Sequence, residues 1–85
     1  MADPVSWKVV ERGWAVVAND GEEVGSVDQV LGSADADIFD GLAVGGGLLS
    51  KPTYVPAERV GPIEEGTVHL SIDAGAFSRL GPYEA

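Results

Sequence analysis

Asn19-Asp20-Gly21-Glu22-Glu23-Val24-Gly25-Ser26-Val27-Asp28-Gln29-Val30 is the stretch on which the fold of this chain turns. The apolar run Trp14-Ala15-Val16-Val17-Ala18 leads into it. Asn, Asp and Gly then supply side-chain acceptors and tolerance of positive φ, and valines resume on the far side, which is the pattern of a β-hairpin. Val24, Val27 and Val30 recur every three residues, however, where a regular strand repeats every two. A helix over residues 24–31 would align them, but Gly25, Gly32 and three β-branched residues make a poor helix. A β-bulge near Gly25-Ser26 does the same work within a strand. One extra residue shifts the facing register and brings Val24 and Val27 to one side.

Working outward, residues 5–10 are too short and too β-branched for an independent helix, and they predict a single turn that carries Trp7 onto the core. In the first strand Trp14, Val16 and Ala18 share one face and Ala15 and Val17 the other, and both faces are apolar. Residues 33–37 form a loop. Residues 39–45 form a third strand with Leu42 and Val44 facing inward. Gly45-Gly46-Gly47 breaks or bends the chain before Leu48 and Leu49, and Lys51-Pro52 marks a turn ahead of the short strand Thr53-Tyr54-Val55. Pro56-Ala57-Glu58-Arg59 predicts one helical turn that lays Val60 on the core, stopped by Gly61-Pro62. After the turn Glu64-Glu65-Gly66, residues 67–72 alternate cleanly, with Val68, Leu70 and Ile72 in and Thr67, His69 and Ser71 out. Asp73 is the N-cap of a helix over residues 74–80, with Phe77 and Leu80 packing down and Gly81-Pro82 ending it. Short strands at close spacing with little helix make a mainly β fold, a small SH3-like β-barrel or half-open roll with a short C-terminal helix.

The 85 residues are expected to form one domain, and 45% hydrophobic content suffices for one core. With no cysteine there is no disulfide framework and no thiolate metal site. No stretch resembles a signal peptide or a membrane span, so a cytoplasmic location is expected. The net charge is −9, and the five basic residues Lys8, Arg12, Lys51, Arg59 and Arg79 are dispersed. Such a surface repels phosphate backbones and anionic membranes and favours a basic protein partner.

Taken together, Gly13 to Val17, the run Asp20 to Val30, Tyr54-Val55-Pro56-Ala57-Glu58-Arg59-Val60 and Gly66-Thr67-Val68-His69-Leu70 resemble the PRC-barrel family, and in particular its small stand-alone members. In that family a compact SH3-like barrel serves at the cytoplasmic end of the photosynthetic reaction-centre H subunit and at the C-terminus of a ribosome-maturation factor. Neither the membrane helix of the first nor the additional N-terminal domain of the second is expected here, so neither specific function carries over. What the resemblance implies is the fold, the absence of catalysis, and use as an adaptor or assembly surface for a protein partner. A lone small barrel with open edges is also expected to form a homodimer.

Candidate sites follow from residue types. The aromatic residues Trp7, Trp14 and Tyr54 are expected to pack in the core, and one exposed beside the three glycines or the apolar pair Leu48 and Leu49 would anchor a partner, since aromatic anchors dominate desolvated interface centres. The interface candidates are Leu48, Leu49, Tyr54 and Leu42. The acidic loop holding Asp35, Asp37 and Asp40 offers oxygen ligands for calcium as the alternative function, a cation or small-ligand sensor. Its spacing departs from an EF-hand, with Asp40 where Gly is needed and Gly46 where the bidentate Glu belongs. Residues 45–51 fail the phosphate-loop pattern, because Ser50 precedes Lys51 and Pro52 follows it. His69, the only histidine, is expected on the surface, and the adjacent pairs Glu22-Glu23 and Glu64-Glu65 are expected to face solvent. No nucleophile and base converge, so neither an enzyme nor a cofactor is expected.

Overall fold

In the computed structural model, which describes residues 6–33, 35–46 and 51–83, the hairpin forms where its turn chemistry predicts. The Gly21 N–H donates to Ala18 O (2.9 Å) with Gly21 at φ 88°, and the Ala18 N–H donates to Glu22 O (2.8 Å). Strand β1 (Ala15–Val17) thereby meets β2 (Glu23–Ser33) antiparallel. Val16 lies opposite Gly25 and Val17 opposite Glu23, so Val24 is the extra residue of a bulge one position before the expected one. A second bulge was not expected. Val27 pairs with Val44 but Gln29 pairs with Ala43, which leaves Asp28 as the insertion. Two insertions in one strand turn a period of two into a period of three, and Val24, Val27 and Val30 all reach the core.

Four more strands follow: β3 (Ile38–Gly45), β4 (Thr53–Pro56), β5 (Val60–Glu64) and β6 (Thr67–Leu70). They form one six-stranded sheet in the order β4-β3-β2-β1-β6-β5. All pairings are antiparallel except β1 with β6, where Ala15, Val16 and Val17 run parallel to Thr67, Val68 and His69. The sheet curls around its own inner face without joining β4 to β5 by hydrogen bonds, as expected of a half-open roll. Its filling comes from every strand: Val16, Val27, Leu42, Val44, Val55, Ile63, Val68 and Leu70, joined by Val10. Valine dominates because a small barrel has room for one short branched side chain per inward position.

Where β2 crosses β3 the backbones approach so closely that a Cβ on Gly25 would overlap the Gly45 carbonyl oxygen and stand 3.1 Å from Val44 Cγ1. Gly41 sits at φ 147° with Val55 O in the space a Cβ would take. These two glycines let the sheet coil tightly.

Strand β5 corrects the sequence reading, in which Gly61-Pro62 was a stop. The chain passes through both as a strand, because the step from Val60 to Ile63 faces only the step from Leu70 to Val68. That bulge absorbs one residue, and proline is tolerated there because β5 is an edge strand. Strand β6 ends at Leu70 instead of Ile72. Beyond it the Ser71 N–H turns to Arg59 O and Ile72 O accepts from the Asn19 N–H, both at 2.8 Å.

The turns agree more closely with expectation. A 3₁₀ turn at Trp7–Val9 is capped by the Ser6 hydroxyl, which accepts from the Lys8 N–H. It places the Trp7 ring on that of Phe39, with centroids 5.0 Å apart and planes 15° apart. A second 3₁₀ turn, Ala57–Arg59, follows Pro56 and delivers Val60 to the core. Helix α1 (Ala74–Ser78) starts at Asp73, whose Oδ1 accepts from the Ala76 N–H at 2.7 Å. It is shorter than expected because the Arg79 and Leu80 N–H groups bond back to Ala76 and Phe77, tightening the last turn. Phe77 and Leu80 pack on the core as predicted. Among the described residues no helix is long and apolar enough to cross a membrane.

Candidate functional site

Strand β3 carries the small residues Gly41 and Ala43 on its outer face, and a groove opens beside them. Gly41, Leu42, Ala43 and Val44 are all buried. Leu42 and Val44 face the core, while Ala43 lies opposite Gln29 on one side and Tyr54 on the other, so those three share the outer face. The Tyr54 side chain runs along that face from the level of Ala43 to the Asp40 carbonyl, to which its hydroxyl donates at 3.1 Å.

The resulting groove is open, holds about 430 Å³, and is lined by Gln29, Val30, Leu31, Gly32, Asp40, Tyr54 and Tyr83. Tyr83 joins its lining because residues 81–83 run back beside β4. The Tyr54 N–H donates to Gly81 O (3.0 Å), the Tyr83 N–H donates to Pro52 O (2.7 Å), and Thr53 bridges Pro82. The outer edge of β4 is therefore partly occupied by the chain's own backbone, whereas among the described residues β5 at the opposite edge pairs with β6 alone.

Of the four interface candidates, Tyr54 alone is placed on this face, 36% exposed. Leu42 is a correction: it is fully buried between Val30 and Val55, its cross-strand neighbours, and belongs to the barrel filling. Leu48 and Leu49 lie outside the described residues, as do Gly47 and Ser50 of the glycine-rich run. Trp7 and Trp14 are partly buried against the core.

The acidic loop is not gathered into a cation site. Asp37 is the one described non-glycine residue at positive φ (56°), a conformation that Asp accepts better than most residues, and its carboxylate meets Lys8 Nζ at 3.2 Å. Asp40 is the inserted residue of a bulge in β3, between Gly41 opposite Leu31 and Phe39 opposite Gly32. Among the described residues no three Asp, Glu or His side chains converge as metal ligands.

His69 stands on the outer face as expected, whereas Glu64 departs from expectation. Both side chains are about one-third exposed, and His69 Nε2 lies 2.6 Å from Glu64 Oε1. Glu64 pairs with Thr67 across β5 and β6, so His69 is its diagonal neighbour on the outer face, within reach of a long side chain. Glu64 therefore faces its neighbour where Glu65 faces solvent. A strand at residues 60–64 was the signal needed to see this contact.

Gln29, Leu31 and Tyr83 were not singled out from sequence. The bulge at Asp28 reverses which residues of β2 face outward, and only the register reveals it. Curated proteins provide no match to this chain. A family model described as the PRC-barrel domain matches residues 12–77, from the residue before Gly13 into helix α1, and by that match the chain belongs to the PRC-barrel family.

Proposed function

We propose that this PRC-barrel domain is a non-catalytic protein-binding and assembly module of the cytoplasm, that it pairs with a second copy of itself, and that its docking face is the outer surface of β2, β3 and β4 around Tyr54. One observation carries the proposal. An aromatic side chain is held across the small residues of β3 at the edge of a sheet, beside a second tyrosine and the half-buried Leu31. Rigid aromatic groups with a polar tip supply contact area at low entropic cost, which is what interface centres use. The family match supports a small scaffold of this kind. The net charge of −9 keeps such a module away from nucleic acid and anionic membrane surfaces.

Light scattering at high micromolar concentration tests the self-pairing, with twice the 8.8 kDa protomer mass as the expected value. Tyr54→Asp should return the mass to that of one chain while the circular dichroism spectrum stays unchanged. Leu49→Asp, made in parallel, reports whether the segment after β3 takes part. A wild-type chain that remains a monomer throughout the concentration range would refute the self-pairing.

A further inference from the structure

A second groove shares no residue with the first. It forms where the first 3₁₀ turn, the start of β1 and the β5–β6 turn meet, holds about 360 Å³, and is lined by Val9, Glu11, Trp14 and Glu65. Backbone bonds fix its walls. The Trp14 N–H donates to Glu11 O (3.2 Å), the Ala15 N–H donates to Gly66 O (3.1 Å), and Trp14 O accepts from the Val27 N–H (2.8 Å). Val9 is half exposed and Trp14 is partly buried, so apolar surface stands open in a groove that Glu11 and Glu65 also line. Neither carboxylate lies within ion-pairing distance of a cation among the described residues. The basic residues nearest in sequence are committed elsewhere, Lys8 to Asp37 at 3.2 Å and Arg12 to Asp28 at 3.5 Å.

We infer that this groove receives an arginine side chain from a protein partner, with the aliphatic stem on Val9, the guanidinium plane against the Trp14 indole, and its N–H groups donating to Glu11 and Glu65. Each part of the groove matches one part of that ligand. The apolar floor suits a methylene stem, an indole attracts a planar cation, and two carboxylates meet the forked donors of guanidinium better than a lysine ammonium would. The overall negative charge draws a basic segment toward the surface, and this groove gives it a defined seat. The inference rests on the reading of the chain as a protein-binding module, but it does not need the self-pairing.

The test uses the full chain and an acetylated tetra-arginine amide as probe, with the indole N–H resonances of Trp7 and Trp14 followed by NMR. Titration should shift the Trp14 signal far more than that of Trp7, and tetra-lysine should bind more weakly. Glu11→Gln with Glu65→Gln should raise the dissociation constant at least about tenfold, a change of about 1.4 kcal/mol. Asp35→Asn with Glu58→Gln removes the same charge from exposed positions elsewhere and should leave the constant nearly unchanged. Equal weakening by both double variants, or an unmoved Trp14 signal, would overturn the inference, because attraction would then be diffuse. Light scattering on the same samples reports self-pairing separately, so a monomer that binds arginine at Trp14 refutes the dimer alone, and a dimer that does not refutes the arginine seat alone.

Discussion

Leu42→Ala probes the barrel interior at the largest fully buried side chain among the described residues. Leu42 has no exposed surface and stands between Val30 and Val55 on the strands to either side. Removing its three outer carbon atoms loses about 2 kcal/mol of transfer free energy and leaves a cavity. Both flanking strands are hydrogen-bonded to β3, so the wall cannot fold inward, and the cost belongs in the middle of the usual range, about 3–4 kcal/mol. A domain of this size has a total stability of roughly 4–13 kcal/mol, so the variant loses a large share of it. The melting temperature should fall by roughly 12–30 °C, and urea titration should show a lower midpoint with an unchanged slope. Leu42→Val, which removes one carbon, should cost about 1 kcal/mol. A loss under about 1 kcal/mol for Leu42→Ala, or an effect confined to molecular mass, would refute the placement of Leu42 inside the barrel.

Three further variants test the frame around the site. Gly25→Ala drives a Cβ into the Gly45 carbonyl and should destabilise by about 1–3 kcal/mol in urea titration, whereas an alanine accommodated without loss would mean that the β2–β3 crossing is looser than described. Asp73→Ala removes the acceptor for the Ala76 N–H and should cost about 1 kcal/mol, with Asp73→Asn recovering most of it, read by thermal unfolding. Tyr54→Phe deletes the bond to the Asp40 carbonyl and should lower stability by about 0.5–1.5 kcal/mol, with hydrogen exchange in β3 near Asp40 increased most.

Local chemistry made much of this fold readable. The Asn19-Asp20-Gly21 turn, the Asp73 cap, the turn after Pro56 and the alternation Val68-His69-Leu70 each depend on residues within a few positions, and each appears where expected. The features that escaped notice depend on pairing. Gly61-Pro62 looks like a terminator until β5 is known to be an edge strand with a bulge. Asp28 has nothing in its own neighbourhood to mark it as an insertion, yet it decides that Gln29 faces Ala43 and Tyr54. Alternation points Leu42 inward although its residue type and position also suit an interface, and its burial decides for the core. Tyr83 contributes to the groove only because residues 81–83 run back along β4, a contact between distant parts of the chain. Asn19 and Asp20 also do more than shape their turn. The Asn19 amide donates to Ser71 O at 3.1 Å and Asp20 Oδ2 accepts from the Ala74 N–H at 3.5 Å, so the hairpin is tied to the start of α1.

The parallel pairing of β1 with β6 has a kinetic consequence. Strands β2, β3 and β4 follow one another by near-neighbour connections, and such hairpins form within about 1–10 μs. Strand β1 meets β6 only after roughly fifty intervening residues have been brought round, an entropic cost that no local contact offsets in advance. Refolding should therefore be limited by this one closure. On the ribosome, a chain extended only as far as β5 would leave one side of β1 without its partner, with Val16 and Val27 lacking the cover of Val68 and Leu70. Until β6 has emerged, the nascent domain carries an open sheet edge beside apolar surface, and that interval is when it most needs protection from its neighbours.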